Sequence, residues 1–330
     1  MSKRKKWILI ISIPVLLIVV LGGGYATYLY KKTEDTVTDS HEDIGRKNKT
    51  SALREEKVDP VEDNVSVLFI GVDNSEFRNN QKSRSDALIL ATFNKEDSSV
   101  KLLSIPRDSY VYVPEVNRYT KINHAHFFGG PKATIETVER FLQVPVDYYA
   151  KINFEGFIKV VNSLDGIKYD VPYELWESDS NDDKNSIHLT PGYQKLNGEE
   201  ALALARTRKY DNDIARSKRQ REILKKIADK ATSASSVFKL GETIDAIGDN
   251  MKTNLTFDDM KNFLSYGLDE NISMDTIRLD GSGGYMEDGL WYYQVNDESK
   301  QEVRTELQNH LDIQHYTESN GSPENNKNNT

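Results

Sequence analysis

The chain has 330 residues, a net charge of −9 and no cysteine. This length suits one large domain or two small ones. Without cysteine the chain has no disulfide bond, no thiolate metal site and no cysteine nucleophile. The negative net charge argues against a general polyanion binder, so any basic site for an anionic ligand must be local.

The amino terminus predicts a membrane anchor. Residues 1–6, MSKRKK, form a basic tail, and residues 7–30 are uncharged and long enough to cross the hydrocarbon core of a bilayer. The excess of lysine and arginine before this stretch places the tail in the cytoplasm and the rest of the chain outside the cell. A cleaved signal peptide is the alternative, but the apolar stretch is long for one and no A-x-A site follows. We therefore expect a single-pass type II protein of the cell membrane, with an extracellular folded domain.

Three further regions follow the anchor. Residues 31–64 are polar and charged with few aromatic residues, and they are expected to form a flexible stalk. Residues 65–315 are expected to form the folded domain, and residues 316–330 a disordered tail.

Three apolar, β-branched runs at 65–71, 87–93 and 100–105 begin this domain and have the length of strands. The polar residues 94–99 between the second and third runs predict a hairpin. Further strands are expected near 110–113, 146–153, 169–171, 276–279 and 291–295, and helices near 131–144, 154–164, 197–205, 213–231, 236–249, 257–269 and 297–311. This order predicts an α/β domain built on a mixed β-sheet with helices on both faces, preceded by one transmembrane helix.

Charged side chains stand next to each of the first three strands. If these strands are antiparallel, five charged residues gather at one end of the sheet: Asp73, Arg84, Asp86, Arg107 and Asp108. Two carboxylates facing arginines there can hold a divalent cation and the phosphate that it neutralises. Each residue alone fits a turn or a solvated position better, so the prediction depends on their convergence.

A second basic cluster lies between residues 206 and 221. Arg206 and Arg208 point to the same side if residues 206–208 are extended, and Arg216 and Gln220 share one face of the next predicted helix. Forked guanidinium groups bind phosphate in a bidentate way, and several of them can hold a diphosphate. A solvated basic helix face is the alternative. Nucleic acid binding is also open to a basic helix, but the predicted topology places this cluster outside the membrane.

Two histidines, His124 and His126, stand in the stretch NHAH and have the chemistry of a metal ligand or a base, although no partner motif supports either role. The chain has no P-loop, no G-x-S-x-G and no H-E-x-x-H motif. Several common hydrolase classes are therefore disfavoured.

Six motifs, in this order, resemble those of the LytR–CpsA–Psr family. They are GVD (71–73), RSDALIL (84–90), IPRD (105–108), KIN…GG (121–130), LNGEEALALARTR (196–208) and DIARSKRQ (213–220). They span about residues 65–235, and a membrane anchor precedes them as in the family. Within the family, the chain is most similar to the polyisoprenyl-teichoic acid–peptidoglycan teichoic acid transferases of Gram-positive bacteria. It departs from the usual pattern at His124 and His126, and at Arg221, where a second glutamine is common.

The resemblance implies an extracytoplasmic phosphotransferase of cell wall biogenesis. Such enzymes move an anionic glycopolymer, here wall teichoic acid, from an undecaprenyl-diphosphate carrier to a hydroxyl of peptidoglycan and leave a phosphodiester bond. They bind the prenyl chain in an apolar channel. The implied partners are therefore the lipid-linked glycopolymer, peptidoglycan and the membrane, with no nucleic acid.

The resemblance also implies roles for individual residues. Asp73 and Asp86 would bind Mg2+, with Mn2+ as an alternative ion, and would act with Arg107 in catalysis. We hypothesise that Asp73 or Asp86 also assists deprotonation of the acceptor hydroxyl. The diphosphate would be bound by a set of basic and amide side chains: Arg84, Arg107, Lys121, Arg206, Arg208, Arg216 and Gln220.

Two other functions use the same features. A lipid-diphosphate pyrophosphatase would use the same residues with water as the acceptor, so the sequence does not separate it from a transferase. A non-enzymatic regulator or binding protein of the cell envelope would tolerate loss of the charged residues. The residues 236–311 carry no motif that we can assign beyond packing.

Overall fold

The computed structural model describes residues 27–28, 30–46, 49–73, 83–207, 213–231, 248, 250–268 and 272–313. Its main sheet contains β1 (Val65–Val72), β2 (Ser85–Asn94), β3 (Ser99–Ser104), β6 (Tyr148–Asn153), β11 (Met251–Thr253) and β12 (Ser273–Arg278). Four two-stranded sheets contain β4 (Tyr110–Val113) with β5 (Arg118–Lys121), β7 (Ile167–Val171) with β10 (Gly192–Leu196), β8 (Leu175–Glu177) with β9 (Ile187–Leu189), and β13 (Gly281–Tyr285) with β14 (Trp291–Val295). The helices are α1 (30–40), α2 (His124–Leu142), α3 (Phe154–Ser163), α4 (Gly198–Arg206), α5 (Asp213–Ala231), α6 (Phe257–Leu268) and α7 (Asp297–His310), with a short 3-10 helix at Pro114–Val116.

The main sheet is mixed, with strand order β11-β6-β1-β2-β3-β12. Strand β1 pairs antiparallel with β2 and parallel with β6, and β3 pairs antiparallel with β2 and parallel with β12. The apolar run of β1 is almost entirely buried, as expected for a strand covered on both faces. The predicted hairpin between β2 and β3 and the antiparallel pairing of β1 with β2 are both confirmed.

Helices cover both faces of the main sheet. On one face, side chains of β1, β2 and β3 form a core with apolar residues of α2 and α7, including Val138 and Leu307. On the other face, the same strands pack against α5 and α6, through Leu224 and Phe263. The predicted α/β class, with a mixed sheet between helices, is therefore confirmed.

The segment predicted as a flexible stalk, residues 31–64, is instead packed against the domain. Residues 30–40 are helical, and Val37 and Ile44 are buried. Arg46 forms a salt bridge of 2.7 Å with Glu139, and Arg54 one of 2.8 Å with Asp147. The prediction of a flexible stalk was wrong because a low content of apolar residues is typical of flexible segments. This segment is held by a few apolar side chains and two buried ion pairs, which such a composition does not indicate.

The described residues include no helix that is both long enough and apolar enough to span a bilayer. The predicted anchor at 7–30 falls outside them except for residues 27, 28 and 30, and the predicted tail at 316–330 falls outside them entirely. The helix predicted near 236–249 also lies outside them, apart from Gly248.

Two local differences from the predicted elements bear on the site. Helix α2 begins at His124, before the predicted start at Pro131, and it bends where Gly129 and Gly130 leave helical geometry. Gly130 has φ of 62°, a value that glycine adopts without a Cβ penalty. The segment around 187–196, which contains β9 and β10, is read from the sequence only as a turn.

Candidate functional site

One polar cleft collects side chains from three parts of the chain. Its volume is about 230 Å³, and it lies at the end of β1 and the start of β2, beside α4 and α5. The lining residues are Asp73, Asp86, Arg107, Phe154, Arg206, Arg216 and Gln220. The two predicted clusters therefore form a single site.

Strand pairing places the acidic side of this cleft. Asp73 follows the last residue of β1, and Asp86 is the second residue of β2, which runs antiparallel to it with Gly71 opposite Ala87. Arg107 follows the end of β3, which returns to the same end of the sheet. The antiparallel order alone therefore brings residues that are 34 positions apart, 73 and 107, to one end of the sheet.

Helices α4 and α5 place the basic side. Helix α4 begins with a capping box in which Asn197 and Glu200 bond each other's backbone, and it ends at Arg206. Arg206 is thus helical, so the condition that residues 206–208 are extended is not met at this residue, and Arg208 lies outside the described residues. Arg216 and Gln220 are one turn apart on α5, so both reach the cleft from one helix face.

Arg219 joins α5 to the end of α4 and does not line the cleft. Its guanidinium is buried and donates hydrogen bonds to the carbonyls of Leu204 (3.0 Å) and Thr207 (2.9 Å). Gln220 donates another to the Ala205 carbonyl at 3.2 Å. These bonds satisfy carbonyls at the carboxyl end of α4 and fix the position of Arg206 relative to α5.

A chain of alternating charges leads out of the cleft. Arg107 is ion-paired with Asp86, and its Nε lies 3.6 Å from Asp108 Oδ2. Lys121 Nζ lies 2.8 Å from Asp108 Oδ1. Lys121 therefore does not line the cleft, but its charge is coupled to Arg107 through the buried Asp108.

Arg84 lies outside the cleft lining, with an exposed side chain directly before β2. Its charge acts on His124, whose imidazole is within 2.8 Å of Thr120 Oγ1. Burial, with Arg84 and Lys121 nearby, lowers the pKa of His124 to about 4. Burial also lowers the pKa of His126, whose Nδ1 lies 2.7 Å from the Ser83 carbonyl oxygen. Both histidines are therefore neutral at neutral pH.

The loop between β8 and β9, residues 178–186, borders the cleft. Arg206 donates a hydrogen bond of 3.4 Å to the Asp179 carbonyl, and its guanidinium lies 3.8 Å from Asp182 Oδ1. The other side of Arg206 stacks on Phe154, with the guanidinium carbon 4.8 Å from the ring centre. Arg206 is thus held from two sides at the mouth of the cleft.

An apolar channel of about 360 Å³ lies on the same face of the sheet as the cleft. Val67 and Phe69 of β1 line the channel, and Asp73, which follows β1, lines the cleft. Every second residue of a strand points to the same side of the sheet, so these three odd-numbered positions share one side. Leu224 lines the channel one helical turn after Gln220. The channel and the cleft are therefore neighbours along both β1 and α5.

Asp73 and Asp86 are the residues of the cleft that could hold a divalent cation such as Mg2+. Asp73 and Asp86 supply hard carboxylate oxygens, and Mg2+ is typically held by one or two carboxylates plus phosphates. In the part of the chain that the structure describes, no group of three or more histidines and carboxylates is arranged to hold a metal ion by itself. Without a phosphate ligand, protein side chains alone would leave most coordination positions to water.

Sequence reasoning missed two contributors to the site. Phe154 is predicted only as the first residue of a helix, so nothing in the sequence distinguishes it as a site residue. Asp108, in contrast, is among the charges that the sequence predicts at this end of the sheet, and it contacts Arg107 there. The loop at 178–186 contacts Arg206 only through tertiary structure.

Comparison with known proteins gives consistent matches. The LytR_cpsA_psr family model matches residues 27–309. A Bacillus subtilis (strain 168) protein named polyisoprenyl-teichoic acid–peptidoglycan teichoic acid transferase TagT is 37% identical over 315 residues, covering 94% of this chain and 96% of TagT. The solved structure described as TagT bound to LI-WTA superposes with a TM-score of 0.71 at 38% identity, covering 83% of this chain and all of the other. A second, a LytR-CPS2A-psr family protein YwtF (TagT) with bound octaprenyl pyrophosphate lipid, has a TM-score of 0.68 at 36% identity and the same coverage.

Proposed function

The chain belongs to the LytR_cpsA_psr family, and on this basis we propose that it transfers a glycopolymer from a polyprenyl-diphosphate carrier to peptidoglycan. Wall teichoic acid is the proposed polymer and undecaprenyl diphosphate the proposed carrier. Relatives that are named teichoic acid transferases support a transfer reaction of this class.

The observation that carries this proposal is the adjacency of the polar cleft and the apolar channel. Three arginines and Gln220 line the cleft, and apolar side chains such as Phe69, Phe93 and Met260 line the channel. A lipid diphosphate has the same two parts joined end to end: a charged head and a long hydrocarbon chain. The octaprenyl pyrophosphate held by a structural relative has this chemistry.

The transfer forms a bond between the acceptor oxygen and the phosphorus next to the sugar. The bond from that phosphorus to the bridging oxygen breaks, and lipid monophosphate leaves. Arg107, Arg206 and Arg216 are placed to bind the phosphate oxygens and to stabilise the charge that develops on the leaving phosphate. When bound by Asp73 and Asp86, Mg2+ would supply further neutralisation of this charge.

The acceptor hydroxyl must also lose its proton, and we propose that Asp73 or Asp86 accepts it. Asp86 is ion-paired with Arg107 in the cleft. Asp73 is buried beside the end of β1, and both carboxylates line the cleft.

We propose that the chain is anchored in the cell membrane by residues 7–30, with the domain outside the cell. The uncharged segment and the basic residues before it support this topology. A tethered domain meets a carrier in the same membrane at high effective concentration.

Product analysis tests the proposal. The full-length chain in detergent is mixed with a lipid-diphosphate-linked saccharide, a peptidoglycan oligomer and Mg2+, and the products are read by mass spectrometry. A glycan carrying saccharide phosphate, together with lipid monophosphate, is expected. Lipid monophosphate without the glycan adduct would instead identify a pyrophosphatase, and no turnover with intact lipid binding would identify a carrier or sensor.

A further inference from the structure

We propose that Trp176 and His188 form a saccharide-binding platform beside the cleft. The two residues are directly opposite each other on β8 and β9. Their rings are stacked with centroids 3.8 Å apart and planes inclined by 12°. Trp176 remains 43% exposed, an unusual fraction for the largest apolar side chain.

The hairpin beneath the platform is firmly anchored. Leu175 and Leu189, which alternate with the platform residues, are buried in a core with α4 and α5. The stack is fixed further because His188 Nε2 lies 3.0 Å from Glu174 Oε1. The two strands are therefore held in place by their buried leucines, while the aromatic pair on their other side faces outward.

The platform lies close to the reacting phosphates. The loop that joins β8 to β9 begins directly after Glu177, and the Asp179 carbonyl accepts a hydrogen bond from Arg206. Trp176 and Asp179 are three positions apart in the chain, so their Cα atoms are no more than about 11 Å apart. Ser180 secures this loop by donating a hydrogen bond of 2.5 Å to Glu199 at the start of α4.

The charges around the platform indicate which kind of ligand it can bind. Between residues 174 and 188 the chain has five carboxylates and one lysine, so an anionic polymer or nucleic acid would be repelled there. A neutral sugar ring has an apolar C–H face that packs on an indole, and hydroxyls that donate to carboxylates and carbonyls at its edge. The ligand is thus a neutral hexosamine-type ring, from either the acceptor glycan or the first sugars of the donor; this assignment rests on the proposed function.

Calorimetric titration of the full-length chain in detergent tests the platform with two probes. The first probe is a tetrasaccharide of N-acetylglucosamine, and the second is octaprenyl diphosphate, which carries no sugar. Trp176→Ala should weaken tetrasaccharide binding about tenfold and leave octaprenyl diphosphate binding unchanged. Trp176→Phe, which keeps a ring, should restore part of the affinity. The matched control is Tyr285→Ala, which removes another exposed aromatic side chain from a different hairpin.

Transfer kinetics then identify the source of the sugar. A higher KM for the peptidoglycan oligomer in Trp176→Ala assigns the platform to the acceptor, and a higher KM for the lipid-linked saccharide assigns it to the donor. Equal tetrasaccharide affinity in Trp176→Ala and the unmodified chain would overturn the platform, as would an equal loss in Tyr285→Ala. Failure of the chain to bind octaprenyl diphosphate, with Trp176-dependent sugar binding intact, would overturn the proposed function and leave the platform standing.

Discussion

Arg107 and Asp86 form an ion pair at the end of the sheet, between a residue that follows β3 and one near the start of β2. Both side chains are about one quarter exposed, at 25% and 30%, so a ligand in the cleft can reach them. The pair neutralises the charge of Arg107 within the cleft. In the proposed reaction, a bound diphosphate would compete with Asp86 for Arg107 and would leave the Asp86 carboxylate available to a cation.

Arg107→Ala should lower kcat for transfer by about 100- to 1,000-fold, because it removes a donor aimed at the charge that develops on the leaving phosphate. Steady-state transfer assays measure the loss, and thermal unfolding should show a folded protein. Lys101→Ala, which removes an ion pair with Glu306 away from the cleft, is the control and should keep full activity. An Arg107→Ala protein with normal turnover would remove this residue from the mechanism.

Ala228→Phe should narrow the apolar channel, which Ala228 lines from α5. The expected result is a higher KM for a donor with a long prenyl chain and little change for a donor with a short one, since only the long chain reaches the added ring. Ala231→Phe adds the same ring to the exposed end of the same helix and serves as the control. Equal effects on long-chain and short-chain donors would show that the channel does not hold the lipid.

Arg54→Ala should destabilise the domain by about 3–5 kcal/mol, because it leaves the buried Asp147 carboxylate without its partner. The Arg54 side chain is only 9% exposed and that of Asp147 only 3%. Chemical denaturation measures the change in unfolding free energy. Lys195→Ala breaks an exposed pair with Asp165 and should cost less than about 1 kcal/mol. Similar losses in both variants would show that the amino-terminal segment adds no stability of its own.

Acidification should destabilise the fold through His310. Burial lowers the pKa of His310 from 6.5 to about 4, and its two ring nitrogens lie 2.8 Å from the hydroxyls of Thr92 and Ser99. Between these pH values the unfolded chain binds a proton that the folded chain does not, so stability falls as pH drops from 6.5 towards 4. The loss from this group is at most about 3 kcal/mol.

The measurement for this effect is the unfolding free energy at pH values from 4 to 7.5 for the unmodified chain and for His310→Gln. The variant lacks the titrating ring, so its stability should depend less steeply on pH over the same range. Parallel curves for the two proteins would show that other groups cause the acid sensitivity.

Much of the cleft could be predicted because its geometry follows from strand order. Asp73, Asp86 and Arg107 stand at strand ends, and antiparallel pairing of neighbouring strands is enough to bring them together. The apolar runs that predict those strands are long, β-branched and bounded by polar turns. The convergence therefore depends on local patterns alone.

The parts that escaped prediction depend on contacts between distant segments. Arg54 meets Asp147, a residue 93 positions away, so a polar stretch that is packed looks the same in sequence as a flexible one. Phe154 begins a predicted helix, and only the structure shows that it supports Arg206 in the cleft. No element is predicted at Trp176, and only its pairing with His188 gives it a flat exposed surface.

Transfer and hydrolysis are separated most directly by following the phosphoryl-saccharide while the peptidoglycan oligomer is titrated at fixed concentrations of lipid-linked donor and Mg2+. For a transferase, each lipid monophosphate released should be matched by one saccharide phosphate joined to glycan once the acceptor saturates. Asp73→Asn and Arg107→Ala should lower the rates of formation of both products together. Release of lipid monophosphate at the same rate with and without glycan, with no adduct formed, would contradict the transferase assignment.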